Sequence, residues 1–145
     1  MDQMQSVVPT ILIERDGKLL WVFKHSSPFV VCQNTWELPG GRVKFGQTIE
    51  EAVVAKAKQL LGIDVTVTEI LGMVHSLVSD RTDGDGQIQF FVIPVRCTTE
   101  TTKLKLDESK LREARWFSLE EIEALNTRGE PIHAFDLTVA RKILI

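Results

Sequence analysis

Short apolar runs that alternate with polar turns occupy the first part of the chain. Residues 7–13 are apolar and rich in β-branched side chains, and the polar residues 14–17 follow them. Because this turn ends in Asp-Gly, which favours a tight hairpin, the pattern predicts that residues 18–24 form a returning strand. Residues 25–34 include a Ser-Ser-Pro run and are typical of a loop.

The hydrophobic period changes to three and four residues between positions 49 and 61, which predicts a helix. Thr48 and Glu51 have the spacing of a capping box, in which each side chain accepts from the other residue's backbone N–H. Glu50 adds a negative charge to the first turn, where the helix dipole favours it. Gly62 is typical of a helix end, so the pattern predicts a central helix bounded on both sides.

The second half of the chain predicts further strands and two late helices. Ser118 begins a second capping box, which predicts a helix through about residue 125. Asp136 is interpreted as the N-cap of a closing helix that runs to residue 143. The predicted strands comprise residues 65–74, broken or bulged near Gly72, residues 88–95 after a polar turn at 79–86, and residues 114–117.

This order of elements predicts an α+β domain with a mixed sheet, because strands and helices do not alternate as repeated βαβ units. A length of 145 residues with 43% hydrophobic and 26% charged content suits one globular domain over residues 1–145. The net charge of −3 gives no electrostatic reason to expect nucleic acid or an anionic membrane as a partner. The sequence lacks the pattern of a signal peptide or a spanning helix, so we expect a cytoplasmic protein in which Cys32 and Cys97 are reduced.

The most specific motif is Trp36-Glu37-Leu38-Pro39-Gly40-Gly41-Arg42-Val43, followed by Leu61-Gly62-Ile63. Proline restricts the entry to the loop, and the two glycines allow the backbone to approach a ligand or cation closely. The frame of Pro39, Gly40, Gly41 and Gly62 resembles the box of the Nudix hydrolase superfamily, a loop–helix–loop that holds divalent cations against a diphosphate. The resemblance implies the Nudix fold, a mixed sheet sandwiched between helices in an α/β/α arrangement.

The charged positions of that box are not matched. Counted from Gly41, the family's glutamates and arginine fall on Gln47, Ala55, Lys56, Gln59 and Leu60. Because magnesium requires oxygen ligands, usually including carboxylates, we expect no family-type metal cluster in this degenerate box. If the protein is nevertheless a hydrolase of the family type, the resemblance implies Mg²⁺ or Mn²⁺ as its cofactor.

Within the superfamily, the chain is most similar to the GDP-mannose mannosyl hydrolase group, which shares the Gly-Gly-Arg-Val sequence and a helix that ends in Leu-Gly. This resemblance implies a nucleotide-sugar-like ligand and places Arg42 beside its phosphates. Because members of the superfamily are often dimers, it also implies a possible homodimer.

The cations of the motif indicate a phosphate site that needs no metal. Arg42, Lys44 and Lys56 are the candidate phosphate-binding residues, because their charges would lie where a cation otherwise neutralises a diphosphate. The alternative is that Lys56, together with Lys58, belongs to a solvated helix face. Glu108 and Glu113 lie where Nudix enzymes often place a general base and are the candidate catalytic residues, against the alternative that both are surface charges.

Two classes of function remain open. One is a hydrolase of a nucleoside diphosphate linked to another group, with metal-dependent turnover that is weak or absent. The other is a catalytically silent domain that binds a nucleotide or a protein partner. The missing carboxylates favour the second class, and the family resemblance favours the first.

Overall fold

A seven-stranded mixed sheet is the centre of the computed structural model, which describes residues 3–144. Its helices are α1 (Ile49–Leu61), α2 (Leu119–Thr127) and α3 (Ala134–Ile143), and a short 3-10 turn covers Val30–Cys32. In chain order the strands are β1 (Gln3–Arg15), β2 (Lys18–Lys24), β3 (Thr35–Glu37), β4 (Thr66–Ile70), β5 (His75–Asp80), β6 (Gln87–Thr98) and β7 (Leu111–Phe117).

The main path through the sheet runs β3-β2-β1-β6-β4, with β5 paired to β6 and β7 paired to β2. Strands β1 and β6 are parallel, and the other pairs are antiparallel. No helix within residues 3–144 is long and apolar enough to cross a bilayer.

The alternation of side chains in β1 and β2 divides the core into two layers. One layer includes Ile11 and Ile13 of β1 and packs against the apolar stripe of α1. The other layer includes Leu12 of β1 and Trp36 of β3, and it packs against α2 and α3. Helices therefore cover both faces of the sheet, which confirms the predicted α/β/α arrangement.

The locally encoded elements agree with the sequence patterns. Asp16 and Gly17 have φ values of 53° and 75°, as a tight hairpin with two left-handed residues requires. The Thr48 hydroxyl accepts from the Glu51 N–H at 3.1 Å, and the Glu51 carboxylate accepts from the Thr48 N–H at 3.0 Å. Helix α1 ends at Gly62, which has a left-handed φ of 66°. The hairpin turn, the returning strand β2 and the boundaries of the central helix are thus confirmed, whereas β1 extends beyond the predicted residues 7–13 at both ends.

The predicted break near Gly72 in the strand over residues 65–74 is confirmed, but the prediction of a turn from residue 79 is wrong, because β5 continues to Asp80. The structure divides the region into β4 and β5, which pair with successive segments of the long β6. The chain between them leaves the sheet, and its Leu71 N–H donates to the Pro94 carbonyl at 2.9 Å. Strand β6 has 12 residues, which is long enough to bind two short strands end to end.

The interpretation of Asp136 as the N-cap of the last helix is also wrong. His133 is the N-cap residue of α3, and Asp136 lies inside the first turn. Its carboxylate accepts instead from the backbone N–H of Leu38, 98 residues away in the chain, at 2.9 Å. Asp136 does not cap α3 because it lies on the buried side of the helix. Its carboxylate accepts a hydrogen bond from the distant Leu38 N–H instead.

We expect Gly62→Ala to destabilise the protein by more than its backbone strain alone. A Cβ on Gly62 would lie 2.8 Å from the Lys105 Cβ and 3.1 Å from the Lys105 carbonyl oxygen. Gly46→Ala is the matched control, because Gly46 has a φ of 87° but open space around it. Urea unfolding should show a loss of about 1–2 kcal/mol for Gly46→Ala and a larger one for Gly62→Ala. Equal losses would show that the contact with Lys105 is unimportant.

Candidate functional site

The glycine loop, residues 39–43, is held against strand β1. The Ile11 N–H donates to the Pro39 carbonyl at 2.7 Å, and Gly40 forms an isolated bridge with Thr10. A Cβ on Gly40 would lie 2.6 Å from the Pro9 carbonyl oxygen, so the loop approaches the strand more closely than any other residue would permit. This contact fixes one wall of a cavity of about 190 Å³.

The side chain of Lys56 crosses the second glycine of the loop. A Cβ on Gly41 would overlap the aliphatic part of Lys56 and would lie 3.0 Å from its Nζ. The Lys56 ammonium donates to the Gln59 Oε1 at 3.2 Å. Gly41 thus provides the space through which α1 places an ammonium at the cavity.

A group of cations surrounds this ammonium. Burial lowers the pKa of Lys56, and the positive charges of Lys110, Lys24, Lys44 and Arg42 lower it further. The neighbouring charges with the largest effect on this pKa are positive, and the ammonium also interacts with the Asp107 carboxylate. The field at the ammonium is therefore mainly positive. Lys56 and Arg42 line the cavity together with Lys110, which the sequence analysis did not single out.

The remaining phosphate-site candidates differ in their positions. The Arg42 guanidinium is 5.2 Å from the centre of the Phe29 ring, which keeps it at the cavity. Lys44 is exposed and does not belong to the cavity lining, but its charge acts on Lys56. Its backbone N–H donates to the Gln47 Oε1 at 2.9 Å, so Gln47 stabilises the loop that carries the cations.

The two candidate catalytic glutamates lie outside the cavity lining. Glu113 is on β7, and its carboxylate accepts from the Arg115 Nε at 2.9 Å. Glu108 is exposed in the preceding loop, where its backbone carbonyl is 2.8 Å from the His25 Nε2. The structure therefore brings Arg42 and Lys56 together, and it leaves both glutamates apart from them.

The box positions on α1 present few metal-binding atoms. Leu60 is buried and lines the cavity, and the Gln59 side chain contacts Lys56. No group of three or more His, Cys, Asp or Glu side chains within residues 3–144 has an arrangement that could hold a metal ion.

The inner end of the same cavity contains buried acids that the sequence analysis missed as site residues. Glu37 is 7% exposed, and its Oε1 forms an ion pair with the Lys24 Nζ at 3.0 Å. Asp136 is 3% exposed, and its Oδ2 is 3.9 Å from the His133 Nδ1. A usable signal existed for Asp136, since it lies three and four residues before the buried Val139 and Ala140 on the apolar stripe of α3.

Burial controls the ionisation of these groups. It raises the pKa of Asp136 to about 6; Glu37 adds to the rise, whereas His133, the Leu38 N–H and Lys24 oppose it. Burial also raises the pKa of the Cys32 thiol to about 12, so this cysteine at the cavity is protonated and unreactive. For Lys24, the lowering of the pKa by burial is outweighed by the nearby Glu37, and the pKa rises overall.

The fold and the site together define an α+β domain in which a glycine loop and the following helix place cationic side chains at a cavity. The chain matches the NUDIX domain over residues 4–135. It therefore belongs to the NUDIX domain family, and the family assignment made from the Pro-Gly-Gly frame is confirmed.

Several relatives resemble the whole chain. It is 28% identical to nucleoside triphosphatase NudI from Escherichia coli O139:H28, covering 98% of this chain and 94% of that protein. The solution structure of the E. coli ORF135 protein has a TM-score of 0.64 and 26% identity, covering 96% of this chain and 88% of that chain. A NUDIX-family hydrolase from Clostridium perfringens has a TM-score of 0.67 and 17% identity over 96% of this chain and 95% of its own, which shows the shared fold.

Other relatives match over part of their length. An ADP-ribose pyrophosphatase from Methanocaldococcus jannaschii is 40% identical over 65 residues, which are 45% of this chain and 37% of that protein. The chain likewise spans 31% of a putative nudix hydrolase from Caenorhabditis elegans and 36% of Nudix hydrolase 5 from Arabidopsis thaliana.

We expect the buried Asp136 to make stability depend on pH. Because its pKa is about 6 when folded and 3.8 ordinarily, the folded protein binds the proton more tightly than the unfolded chain. Protonation of Asp136 therefore stabilises the folded protein fully below about pH 4. This contribution to the free energy of unfolding, up to about 3 kcal/mol, is lost as the pH rises through 6.

Asp136→Asn should abolish this loss, because asparagine can still accept from the Leu38 N–H without becoming charged. The measurement is urea unfolding of both proteins between pH 4 and 7.5, where the stability of the wild type should fall relative to that of the variant. Asp85→Asn, which removes an exposed carboxylate from a turn, should run parallel to the wild type. Parallel curves for Asp136→Asn would disprove the raised pKa.

Proposed function

We propose that this protein binds a nucleoside diphosphate derivative, with the diphosphate held at the mouth of the cavity by Arg42, Lys56 and Lys110. Lys44 adds charge from outside the lining. The observation that carries the proposal is the position of the Lys56 ammonium, which crosses Gly41 in the field of four other cations. Metal-dependent hydrolysis in the box is, on this proposal, weak or absent.

The electrostatics of the cavity mouth favour an anion. Partial burial, and after it repulsion from the neighbouring cations, already lowers the pKa of Lys56. A bound diphosphate would replace that repulsion with charge-assisted hydrogen bonds, which are about twice as strong as neutral ones. Arg42 can bind phosphate oxygens through two N–H groups at once, and the lysines act as point charges.

The residues at the box positions support binding in place of family-type metal chemistry. Mg²⁺ usually takes one or two carboxylates together with phosphate oxygens and water. Gln47, Ala55, Gln59 and Leu60 supply at most neutral amide oxygens, and Lys56 would repel a divalent cation. The box of this chain is, on this proposal, a degenerate one in which an ammonium replaces the metal ion.

A hydrolase is the second candidate function, and the relatives favour it. Proteins described as an ADP-ribose pyrophosphatase and as a nucleoside triphosphatase are similar to this chain. In that case the substrate would be a nucleoside diphosphate linked to another group, such as a nucleotide sugar, with Mg²⁺ or Mn²⁺ as cofactor. Glu108, in the loop before β7, or Glu113, on β7 itself, would then be the general base and would have to reach the cavity.

We expect nucleotide binding that needs no metal. Isothermal titration of ADP-ribose and GDP-mannose in chelator should give saturable binding of at least one of them. Lys56→Ala and Arg42→Ala should each weaken it by about tenfold or more, because each removes a charged hydrogen bond to phosphate. Lys58→Ala is the matched control, since Lys58 is two residues further along α1 and pairs with Asp64. Equal loss in all three variants, or no binding of either ligand, would overturn the proposal.

We also expect little acceleration of hydrolysis by Mg²⁺ or Mn²⁺. The measurement is phosphate or nucleotide release from nucleotide sugars, dinucleotides and nucleoside triphosphates, with and without each metal. Robust metal-dependent turnover that survives Lys56→Ala but is abolished by Glu108→Gln or Glu113→Gln would establish the hydrolase. It would also place the catalytic site away from the cations.

A further inference from the structure

The Lys56 amine forms no ion pair with a carboxylate in the described part of the chain, residues 3–144. Its hydrogen bond to the Gln59 Oε1, at 3.2 Å, is to a neutral amide. Lys58, two residues further along α1, is exposed and pairs with Asp64 at 3.4 Å. Helix α1 therefore carries one lysine whose charge is paired and another, at the cavity, whose charge is not.

The surroundings of Lys56 disfavour its charged form. The side chain is half-buried and crosses Gly41, and the buried Leu60, one turn further along the helix, lines the same cavity. Burial, and after it the charges of neighbouring cations with Lys110 first among them, lowers the pKa of Lys56. A lysine that is desolvated or lies beside other cations gives up its proton more readily, and the uncharged amine is a nucleophile.

The neighbouring cations determine which electrophile reaches this amine. Arg42 and Lys110 line the cavity together with Lys56, so a phosphate bound by them lies beside the amine. An amine adds to the carbonyl group of an aldehyde, and a phosphate attached to that aldehyde would hold the carbonyl at a high effective concentration. Leu60 and Phe90 line the same cavity with apolar surface, which limits the water available to hydrolyse the product.

We propose that Lys56 is a nucleophilic amine that forms a reversible imine with a phosphate-bearing aldehyde, including the open-chain form of a reducing sugar linked to a diphosphate. The ammonium first releases its proton to solvent, and the amine nitrogen then attacks the carbonyl carbon. The resulting carbinolamine loses water, so that a C=N bond replaces the C=O bond without any oxidation or reduction. The proposal rests on the proposed function, because Arg42 and Lys110 direct the ligand only if the mouth binds phosphate.

The first test uses pyridoxal 5′-phosphate, an aldehyde with one phosphate, and sodium cyanoborohydride, which reduces an imine to a stable amine. After brief labelling in chelator, peptide mass spectrometry should find about tenfold or more adduct at Lys56 than at Lys58, because the bound phosphate adds charged hydrogen bonds. Pyridoxal, which lacks the phosphate, should label Lys56 much less. Excess ADP should protect Lys56 from pyridoxal 5′-phosphate, since both ligands occupy the cationic mouth.

Three variants separate the amine from its charge. Lys56→Arg keeps a positive charge but has no nucleophilic amine, so the preferred adduct should disappear. Lys58→Arg is the matched control and should label as the wild type does. Arg42→Ala should lower the ratio of labelling by pyridoxal 5′-phosphate to labelling by pyridoxal, because it removes a partner of the phosphate. If Lys56→Arg does not fold, the peptide map of the wild type decides by itself.

A second probe extends the test to a diphosphate derivative. The distal ribose of ADP-ribose opens to an aldehyde, so incubation with cyanoborohydride should give an adduct at Lys56 with the mass of the reduced imine. GDP-mannose should give none, because its anomeric carbon is bonded to phosphate and cannot open. An adduct with pyridoxal 5′-phosphate but not with ADP-ribose would support the nucleophile and would assign the aldehyde to a small phosphorylated compound.

The outcomes distinguish the two proposals. If ADP binds in calorimetry but Lys56 and Lys58 are labelled equally, or if Lys56→Arg retains the preferred adduct, the mouth is a phosphate site and the imine is wrong. Preferential labelling of Lys56 by pyridoxal and pyridoxal 5′-phosphate alike would show a reactive amine that phosphate does not direct, and would overturn the proposed class of ligand. If ADP neither binds nor protects Lys56, the proposed function fails, and the imine proposal fails with it.

Discussion

The close contact between the glycine loop and strand β1 is the constraint on which the rest of the site depends. Gly40 lies so near Pro9 that a methyl group could not be added, and the backbone on both sides of Gly40 is hydrogen-bonded to the strand. Because β1 is central in the sheet and buried between the two helical layers, the loop has a rigid support. Helix α1 then leaves the loop in a fixed direction, which brings Lys56 across Gly41.

The cavity carries opposite charge at its two ends. Arg42, Lys56 and Lys110 lie at the mouth, whereas Glu37 and Asp136 lie at the buried end. The cationic end therefore supports the proposed phosphate site.

The parts of the structure that could be predicted from the sequence are those fixed by local chemistry. The Asp16-Gly17 hairpin and both capping boxes depend on residues within four positions of one another, and all three are present. The strand after the break near Gly72, β5, was missed because its pairing depends on how β6 is shared, which no local pattern encodes. For the same reason the loop before β7 gave no sign that Lys110 would join the cations, since this depends on where the loop crosses α1.

Asp136, one of the two buried acids of the cavity, raises the question of why this position carries a charge. Holding Leu38 in place requires only an oxygen that accepts a hydrogen bond, and an asparagine amide would provide it without a charge. A carboxylate at that position is harder to bury, and its pKa of about 6 reflects this energetic penalty. His133 and Lys24 offset the penalty only in part, because burial remains the largest influence on this pKa. A structural role therefore accounts for the oxygen of Asp136 but not for its charge.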